Sequence, residues 1–377
     1  MTLAADLRAR LERWAAAGLR RQLRPLAGVG PVVTDGSGAP LLNFSSNDYL
    51  GLAGDPRLLP ASEVHAGAAA SRLVTGHLHH HARLEDSLAQ HFQRPALVFS
   101  SGYAASVGAL PALVGPGDAI FSDRLNHASL IDGARLSRAQ VHIYPHGDVA
   151  ALETLLRHSR GTGRAILVSD TLFSMDGDVA PVRDLARLAQ RFEAWLYLDE
   201  AHALGVLGPE GRGVSAAAGT TPDVLLGTLG KAFGAAGAFV AGVPELREWL
   251  LQRARSFVFS TALSPLVADA ARRGLAIARD EPWRRDRVLR HAHRLRQELR
   301  ALGFHVPQGS GPIVPVLLGA NGDAVAAAQR LATRGILAVP IRPPTVPEGS
   351  ARIRLTPMAT HTDAHLDQLV AAFREAF

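Results

Sequence analysis

The chain has no cysteine and only one lysine among its 377 residues, although Lys and Arg together number 40. Without cysteine there is no disulfide framework, no thiolate metal site and no cysteine nucleophile. Aromatics are sparse at 6%, and no apolar run reaches the roughly 20 residues that a membrane-spanning helix needs. The first 24 residues are rich in Ala, Leu and Arg and include Asp6 and Glu12. They lack the apolar core of a secretion signal, so a cytoplasmic protein with no membrane partner is expected. Neither a Gly-x-Gly-x-x-Gly turn opening a first strand–helix unit nor a Gly-x-Ser-x-Gly elbow is present, which counts against dinucleotide binding and serine-hydrolase chemistry. Gly230-Lys231 resembles the end of a phosphate loop, but Leu225 stands where the first glycine belongs and Ala232 replaces the hydroxyl residue.

The scarcity of lysine makes Lys231 informative. It lies in Val224-Leu-Leu-Gly-Thr-Leu-Gly-Lys-Ala-Phe-Gly234, an apolar strand-like run followed by Thr228 and two glycines. Arginine matches lysine in charge, but its guanidinium does not deprotonate and cannot attack a carbonyl. A lysine amine can, once desolvation and nearby charge lower its pKa. The reading is a Schiff-base lysine; the alternative is one surviving surface lysine in an arginine-biased chain.

A hydrophobic content of 47% supplies a large core. From about residue 92 to 242, strand, turn and helix alternate. Strands are predicted at Ala96–Phe99, Ala119–Phe121, Val141–Tyr144, Ala165–Ser169, Trp195–Asp199, Val224–Thr228 and Ala238–Ala241, with helices including Leu152–His158 and Val182–Arg191. Continuous apolar strands alternating with helices predict an α/β, mostly parallel, doubly wound sheet with ligands at the strands' carboxyl ends. Helical spacing also covers residues 3–24 and an Arg-rich stretch at 281–302. Strands are expected at Ile313–Leu318, Ile336–Val339 and Ala351–Thr356. The expected division is an N-terminal helix and short β segment (1–45), a large domain (46–280) and a smaller α+β domain (281–377). Arg284, Arg285, Arg287, Arg290, Arg294 and Arg296 alternate with acids, so a solvated helix face is expected; without interleaved aromatics, no nucleic acid is expected as a partner.

Chemistry-bearing residues recur after strands. Asp199, at the end of Trp195–Asp199, could keep a ring nitrogen protonated, cap a helix or bind a metal. Ser100 to Ser106, including Gly102 and Tyr103, follow a strand and open a helix, where free N–H groups favour an anion. Thr228 offers a hydroxyl on the lysine's own turn. His127 is either a ring-stacking imidazole or a core histidine. Lysine, acid and phosphate donors together are the parts of a pyridoxal phosphate site. His77, His79, His80 and His81 lack the carboxylate or thiolate that would complete a metal set, so no metal is expected.

In this order the motifs resemble the α-oxoamine synthases, fold-type I pyridoxal phosphate enzymes, over nearly the whole chain. The resemblance rests on Leu42-Asn-Phe-Ser-Ser-Asn-Asp-Tyr-Leu-Gly-Leu52, Ser101-Gly-Tyr-Ala-Ala-Ser106, Asn126-His-Ala-Ser-Leu130, Phe173-Ser-Met-Asp-Gly-Asp178, Asp199-Glu-Ala-His202 and Thr228-Leu-Gly-Lys-Ala-Phe-Gly234. The tail Ile341-Arg-Pro-Pro-Thr-Val-Pro347 and Ala351-Arg-Ile-Arg-Leu-Thr356 is most similar to members that condense L-alanine with a pimeloyl thioester, on coenzyme A or an acyl-carrier protein. Sister members use glycine or serine.

The resemblance implies a seven-stranded central sheet and a catalytic set of Lys231, His127 and Asp199. Lys231 would carry the cofactor and move the substrate α-proton, Asp199 would pair with the pyridinium nitrogen, and His127 would stack on the ring. It also implies that His202 bonds the ring hydroxyl, that Gly102, Tyr103 and Thr228 bind cofactor, and that Ser174 lies beside the ring or phosphate. Asn47 and Arg354 would hold the amino-acid carboxylate, with His127 against the substrate. Arg20, Arg342 and Thr345 would line the acyl path. Ser71-Arg-Leu-Val-Thr-Gly76 fits a loop that the partner subunit contributes in this family, implying a homodimer with shared sites. Two departures stand out: His202-Ala-Leu-Gly205 replaces His-Gly-Thr-Gly, and Asp170 stands where Glu is common.

Overall fold

The computed structural model describes residues 2–60 and 64–377, which form two compact units. The first comprises residues 2–47, Met175–Gly177 and Arg287–Phe377; the second comprises the described parts of Asp48–Ser174 and Asp178–Asp286.

The second unit is built on a seven-stranded sheet. Its spatial order is Ala96–Phe99, Ala238–Ala241, Val224–Thr228, Trp195–Asp199, Ala165–Asp170, Ala119–Asp123 and Gln140–Tyr144. The last five pair in parallel, whereas Ala238–Ala241 runs antiparallel to both neighbours. Every residue of Ala165–Asp170 and Val224–Thr228 is buried, as strands covered on both faces require. Gln140–Tyr144, at the sheet edge, leaves Val141 and Ile143 exposed. One core joins Leu97, Ile120, Ile166 and Leu226 to Ala105, Ala109 and Leu110 of the helix Gly102–Leu113. All seven predicted strands are present, some one or two residues longer than expected.

The first unit holds two three-stranded sheets. One joins Val32–Thr34, Pro40–Asn43 and Ile336–Leu337; the other orders Val314–Gly319, Ala351–Leu355 and Pro340–Ile341. The strand expected at Ile336–Val339 is therefore two short strands serving different sheets. The helix expected over residues 3–24 is Leu3–Ala16. Gly18, at φ +67°, takes the left-handed conformation that ends helices, and the Leu/Arg pattern continues beyond it in chain without regular structure.

The Arg-rich helix Pro282–Ala301 is not simply a solvated face. Arg284 is buried and donates to the Leu50 carbonyl at 2.7 Å, Arg285 is buried and donates to the Ala278 carbonyl, and buried Arg296 reaches the carbonyls of Gly311 and Ile313. Half of that cluster consists of internal tethers whose guanidinium forks satisfy backbone oxygens. Among the described residues, no helix is long and apolar enough to cross a membrane.

Candidate active site

Six strands of the large sheet run in one sense, and each delivers a polar residue just past its carboxyl end. After Ala96–Phe99 come Ser101 and the helix Gly102–Leu113. The Ser101 hydroxyl accepts from Ala104 N–H at 3.1 Å, leaving the N–H groups of Gly102 and Tyr103 outside the helical ladder. A Cβ at Gly102 would meet nothing within 4 Å, so the helix N-terminus opens on free space. Tyr103 lies half exposed, its hydroxyl donating to Asp132.

After Val224–Thr228, the Thr228 hydroxyl donates to the Gly237 carbonyl and accepts from Gly230 N–H, both at 3.2 Å. Gly234 adopts φ +68°, and a Cβ there would lie 2.6 Å from the Leu52 carbonyl carbon, so only glycine permits this close turn. The turn holds Lys231 half-buried, with Nζ 2.8 Å from His202 Nε2. His202 Nδ1 lies 2.7 Å from the hydroxyl of Tyr49, a fully buried side chain. Tyr49, His202 and Lys231 thus form one hydrogen-bonded chain. The sequence reading assigned no role to Tyr49, although it lies within the Asn47-Asp-Tyr49 motif.

Asp199 ends its strand buried, accepting from Ala201 N–H at 2.9 Å. Burial drives its pKa up and the Lys231 charge draws it back, leaving it raised to about 6. The adjacent Glu200 is fully buried and satisfied by Thr171 Oγ1 at 2.7 Å and by the N–H groups of Val214 and Ser215. It anchors the chain between Asp199 and His202. Asp170 lies in register with Asp199 on the next strand and accepts from the His127 main-chain N–H at 2.7 Å. Asn126 braces the same turn, donating to the Val168 carbonyl and accepting from Asp170 N–H.

His127 caps the helix Ala128–Ser137, with Nδ1 accepting from Ser129 N–H at 3.2 Å. The residue remains exposed, yet the surrounding protein is dense enough to desolvate the imidazole; this effect and then the Lys231 charge lower its pKa, so the ring is neutral at neutral pH. The Lys231 charge acts on His127, Asp199 and Asp170 alike, so all three lie within electrostatic reach of the lysine. Ser174 is half-buried in the loop after Ala165–Asp170.

The remaining expected residues lie in the other unit. Arg354 is buried and donates to Asn47 Oδ1 at 3.0 Å. Arg342 donates to the Gly18 carbonyl, and Thr345 Oγ1 accepts from Arg21 at 3.1 Å. Arg20 and Arg21 are both exposed, and the bonded neighbour of Thr345 is Arg21.

The donor set suits pyridoxal phosphate: a primary amine beside an imidazole, a buried carboxylate, a second imidazole and an open helix N-terminus. Among the described residues, no group of three or more His, Asp or Glu is arranged to hold a metal.

The class I and II aminotransferase family matches residues 39–373. The chain is 49% identical to an 8-amino-7-oxononanoate synthase from Methylococcus capsulatus, over 92% of this chain and 91% of the relative. It is 48% identical to 8-amino-7-oxononanoate synthase 1 from Polaromonas sp., over 97% of this chain and 94% of the relative. Among solved structures, a serine palmitoyltransferase from S. paucimobilis with a bound PLP–myriocin aldimine superposes with a TM-score of 0.94 at 27% identity, covering 100% of this chain and 98% of that one. An 8-amino-7-oxononanoate synthase from Francisella tularensis gives a TM-score of 0.74 at 25% identity, covering 89% and 97%.

Proposed function

The chain belongs to the class I and II aminotransferase family, among the 8-amino-7-oxononanoate synthases, and from that membership we propose that it condenses L-alanine with a pimeloyl thioester. The products are 8-amino-7-oxononanoate, carbon dioxide and the free thiol, in biotin biosynthesis. The enzyme is a pyridoxal phosphate-dependent acyltransferase. The observation that carries this reading is the placement of the only lysine, 2.8 Å from His202 and electrostatically coupled to buried Asp199 at the carboxyl ends of the sheet.

Bound there, pyridoxal phosphate supplies an electron sink for the carbanion left when the amino acid loses its α-proton. Lys231 would hold the cofactor and, once released, move that proton at Nζ. In the cofactor-free protein its hydrogen bond to His202 keeps the amine oriented. Asp199 would keep the ring nitrogen protonated, which matters because a neutral ring accepts charge poorly. His127 would lay its ring against the cofactor, and His202 would bond the ring hydroxyl. The N-terminal turn at Gly102 and Tyr103, Thr228 and Ser174 would receive the phosphate side, with the helix dipole favouring the anion. Asn47 and Arg354 would hold the amino-acid carboxylate through the guanidinium fork. Arg20, Arg342 and Thr345 would line the acyl path, to which coenzyme A or an acyl-carrier protein delivers the thioester. The Ser71–Gly76 segment, with Leu73 and Val74 exposed, suits a loop given to the partner of a cytoplasmic homodimer.

The likeness to a serine palmitoyltransferase gives L-serine a place among the substrates to be tried. The test is the visible absorption of the purified protein, titrated with L-alanine, glycine and L-serine and followed by turnover with pimeloyl thioester. A band that responds most tightly to alanine supports the reading. A tighter response to serine or glycine moves the chain to a sister activity, and no band after adding pyridoxal phosphate removes the cofactor assignment.

A further inference from the structure

His146 lies outside the residues assigned above, in the turn Pro145-His-Gly-Asp148 after the edge strand Gln140–Tyr144. Its Nδ1 is 2.9 Å from Asp123 Oδ1 and its Nε2 is 2.8 Å from Asp178 Oδ2. Both partners are carboxylates, and a neutral imidazole has only one N–H. Two such bonds at once require the imidazolium. Burial opposes that charge, but the bonds to Asp123 and Asp178 outweigh it and push the ring's pKa up to about 10. The edge of the ring also meets buried Phe173, with centroids 4.3 Å apart and planes at 85°.

Each carboxylate organises a loop that reaches the candidate site. Asp123 ends its strand and accepts from Leu125 N–H at 2.8 Å and from Gly147 N–H at 2.9 Å. That turn continues into Asn126 and His127, which fasten to Asp170. The Asp178 main-chain carbonyl accepts from Phe173 N–H at 3.0 Å, closing the loop that carries Ser174. The strands before these loops, Ala119–Asp123 and Ala165–Asp170, are neighbours in the sheet, and Gln140–Tyr144 flanks them. One cation therefore clips together three adjacent strand ends.

We propose that His146 is a positioning residue: as an imidazolium bridging Asp123 and Asp178, it fixes the His127 turn relative to the Ser174 loop. The proposal rests on the functional reading above for what those loops hold, but the clip itself is a property of the cofactor-free protein. Charge-assisted hydrogen bonds inside a protein are about twice as strong as neutral ones. A small misplacement of groups around a reacting atom can cost about 100-fold in rate.

The test compares wild type, His146→Gln, and the double substitution His146→Gln with Asp178→Asn. Glutamine can donate to Asp123 but offers Asp178 no charge. In the double variant, the amide introduced at position 178 can donate to the glutamine oxygen, so a neutral bridge is restored. In cofactor-free protein, hydrogen–deuterium exchange should speed up about tenfold or more in both segments 124–129 and 173–179 of His146→Gln, and recover in the double variant. In loaded enzyme, kcat should fall by about 10–100-fold with little change in KM for the amino acid, and also recover.

Exchange that rises in one segment alone, or in neither, overturns the clip. A lower melting temperature with unchanged kcat and cofactor affinity overturns the positioning role and leaves a structural one. A wild-type protein without turnover defeats only the functional reading, because the exchange comparison needs neither cofactor nor substrate.

Discussion

Asp170 and Asp199 occupy paired positions on neighbouring parallel strands, so two buried carboxylates end side by side, both within reach of the Lys231 charge. Burial and then the charge of Asp199 hold Asp170 well above the ordinary carboxylate range. Like charges in a low-dielectric site cannot both ionise cheaply, so Asp170 keeps its proton to higher pH than an ordinary carboxylate.

The sign of the resulting pH dependence follows from proton binding. With Asp199 raised from 3.8 to about 6, the folded state holds more protons than the unfolded state across that interval. This contribution to stability therefore falls as pH rises from about 4 to 6, and the loss is complete above the folded-state value. Replacing Asp170 by Asn removes the carboxyl whose ionisation is opposed by burial and by Asp199, while keeping an acceptor for His127 N–H. The cofactor-free Asp170→Asn protein should be more stable than wild type at pH 7 by about 1–3 kcal/mol, with the advantage shrinking toward pH 4. Denaturant unfolding across pH 4–7 measures this difference. A constant difference would show that burial and the Asp199 charge do not hold the proton on Asp170.

Lys231→Arg keeps the charge and removes the nucleophilic amine. Turnover should fall by at least about 100-fold to 10,000-fold, and the visible cofactor band should lose its response to L-alanine. Since no other lysine exists, no neighbouring side-chain amine can substitute. Full activity in this variant would exclude Lys231 from the chemistry.

Tyr49→Phe leaves the ring's volume in place but removes the hydroxyl 2.7 Å from His202 Nδ1. Taking a hydrogen-bond partner from a buried polar group costs about 1–3 kcal/mol. The expected result is a loss of about tenfold or more in kcat with the fold retained, because the imidazole that faces Lys231 is no longer held by Tyr49 at its far nitrogen. Steady-state kinetics beside a circular-dichroism melt separate this from unfolding. Unchanged kcat would show that His202 is oriented by its other neighbours.

The central sheet was legible because its strands are short apolar runs ended by glycine or polar turns, and it is their length and those flanking turns that set them apart from buried helix segments. Lys231, Asp199 and His127 could be singled out because each follows such a run. Contacts between distant stretches were not legible. Nothing near Tyr49 in sequence indicates His202, 153 positions away. His146 looks like an ordinary turn residue until Asp123 and Asp178 are brought to its two nitrogens. The arginines of Pro282–Ala301 read as a surface face because their acceptors are main-chain carbonyls, which no side-chain pattern reveals. The early end of the first helix came down to the backbone angle at Gly18.

Arg354 and Asn47 provide a prediction that separates binding from chemistry. Arg354 donates to Asn47 Oδ1 at 3.0 Å from a buried strand position, so its guanidinium is held in one orientation. Lysine in its place would keep the charge but lose the planar fork that matches a carboxylate bidentately. The amino-acid carboxylate is the group that leaves as carbon dioxide and carries its full charge only before that bond breaks, so the fork's grip is strongest on the bound substrate and is felt mainly in binding. Arg354→Lys should raise KM for L-alanine about 10–100-fold, corresponding to about 1.4–2.7 kcal/mol, while kcat changes much less. Asn47→Ala should move KM in the same direction by a smaller factor, since it removes the brace and not the charge. Initial rates at saturating thioester with varied alanine provide the measurement. A fall in kcat at constant KM would instead place Arg354 with the reacting atoms and leave the carboxylate to another group.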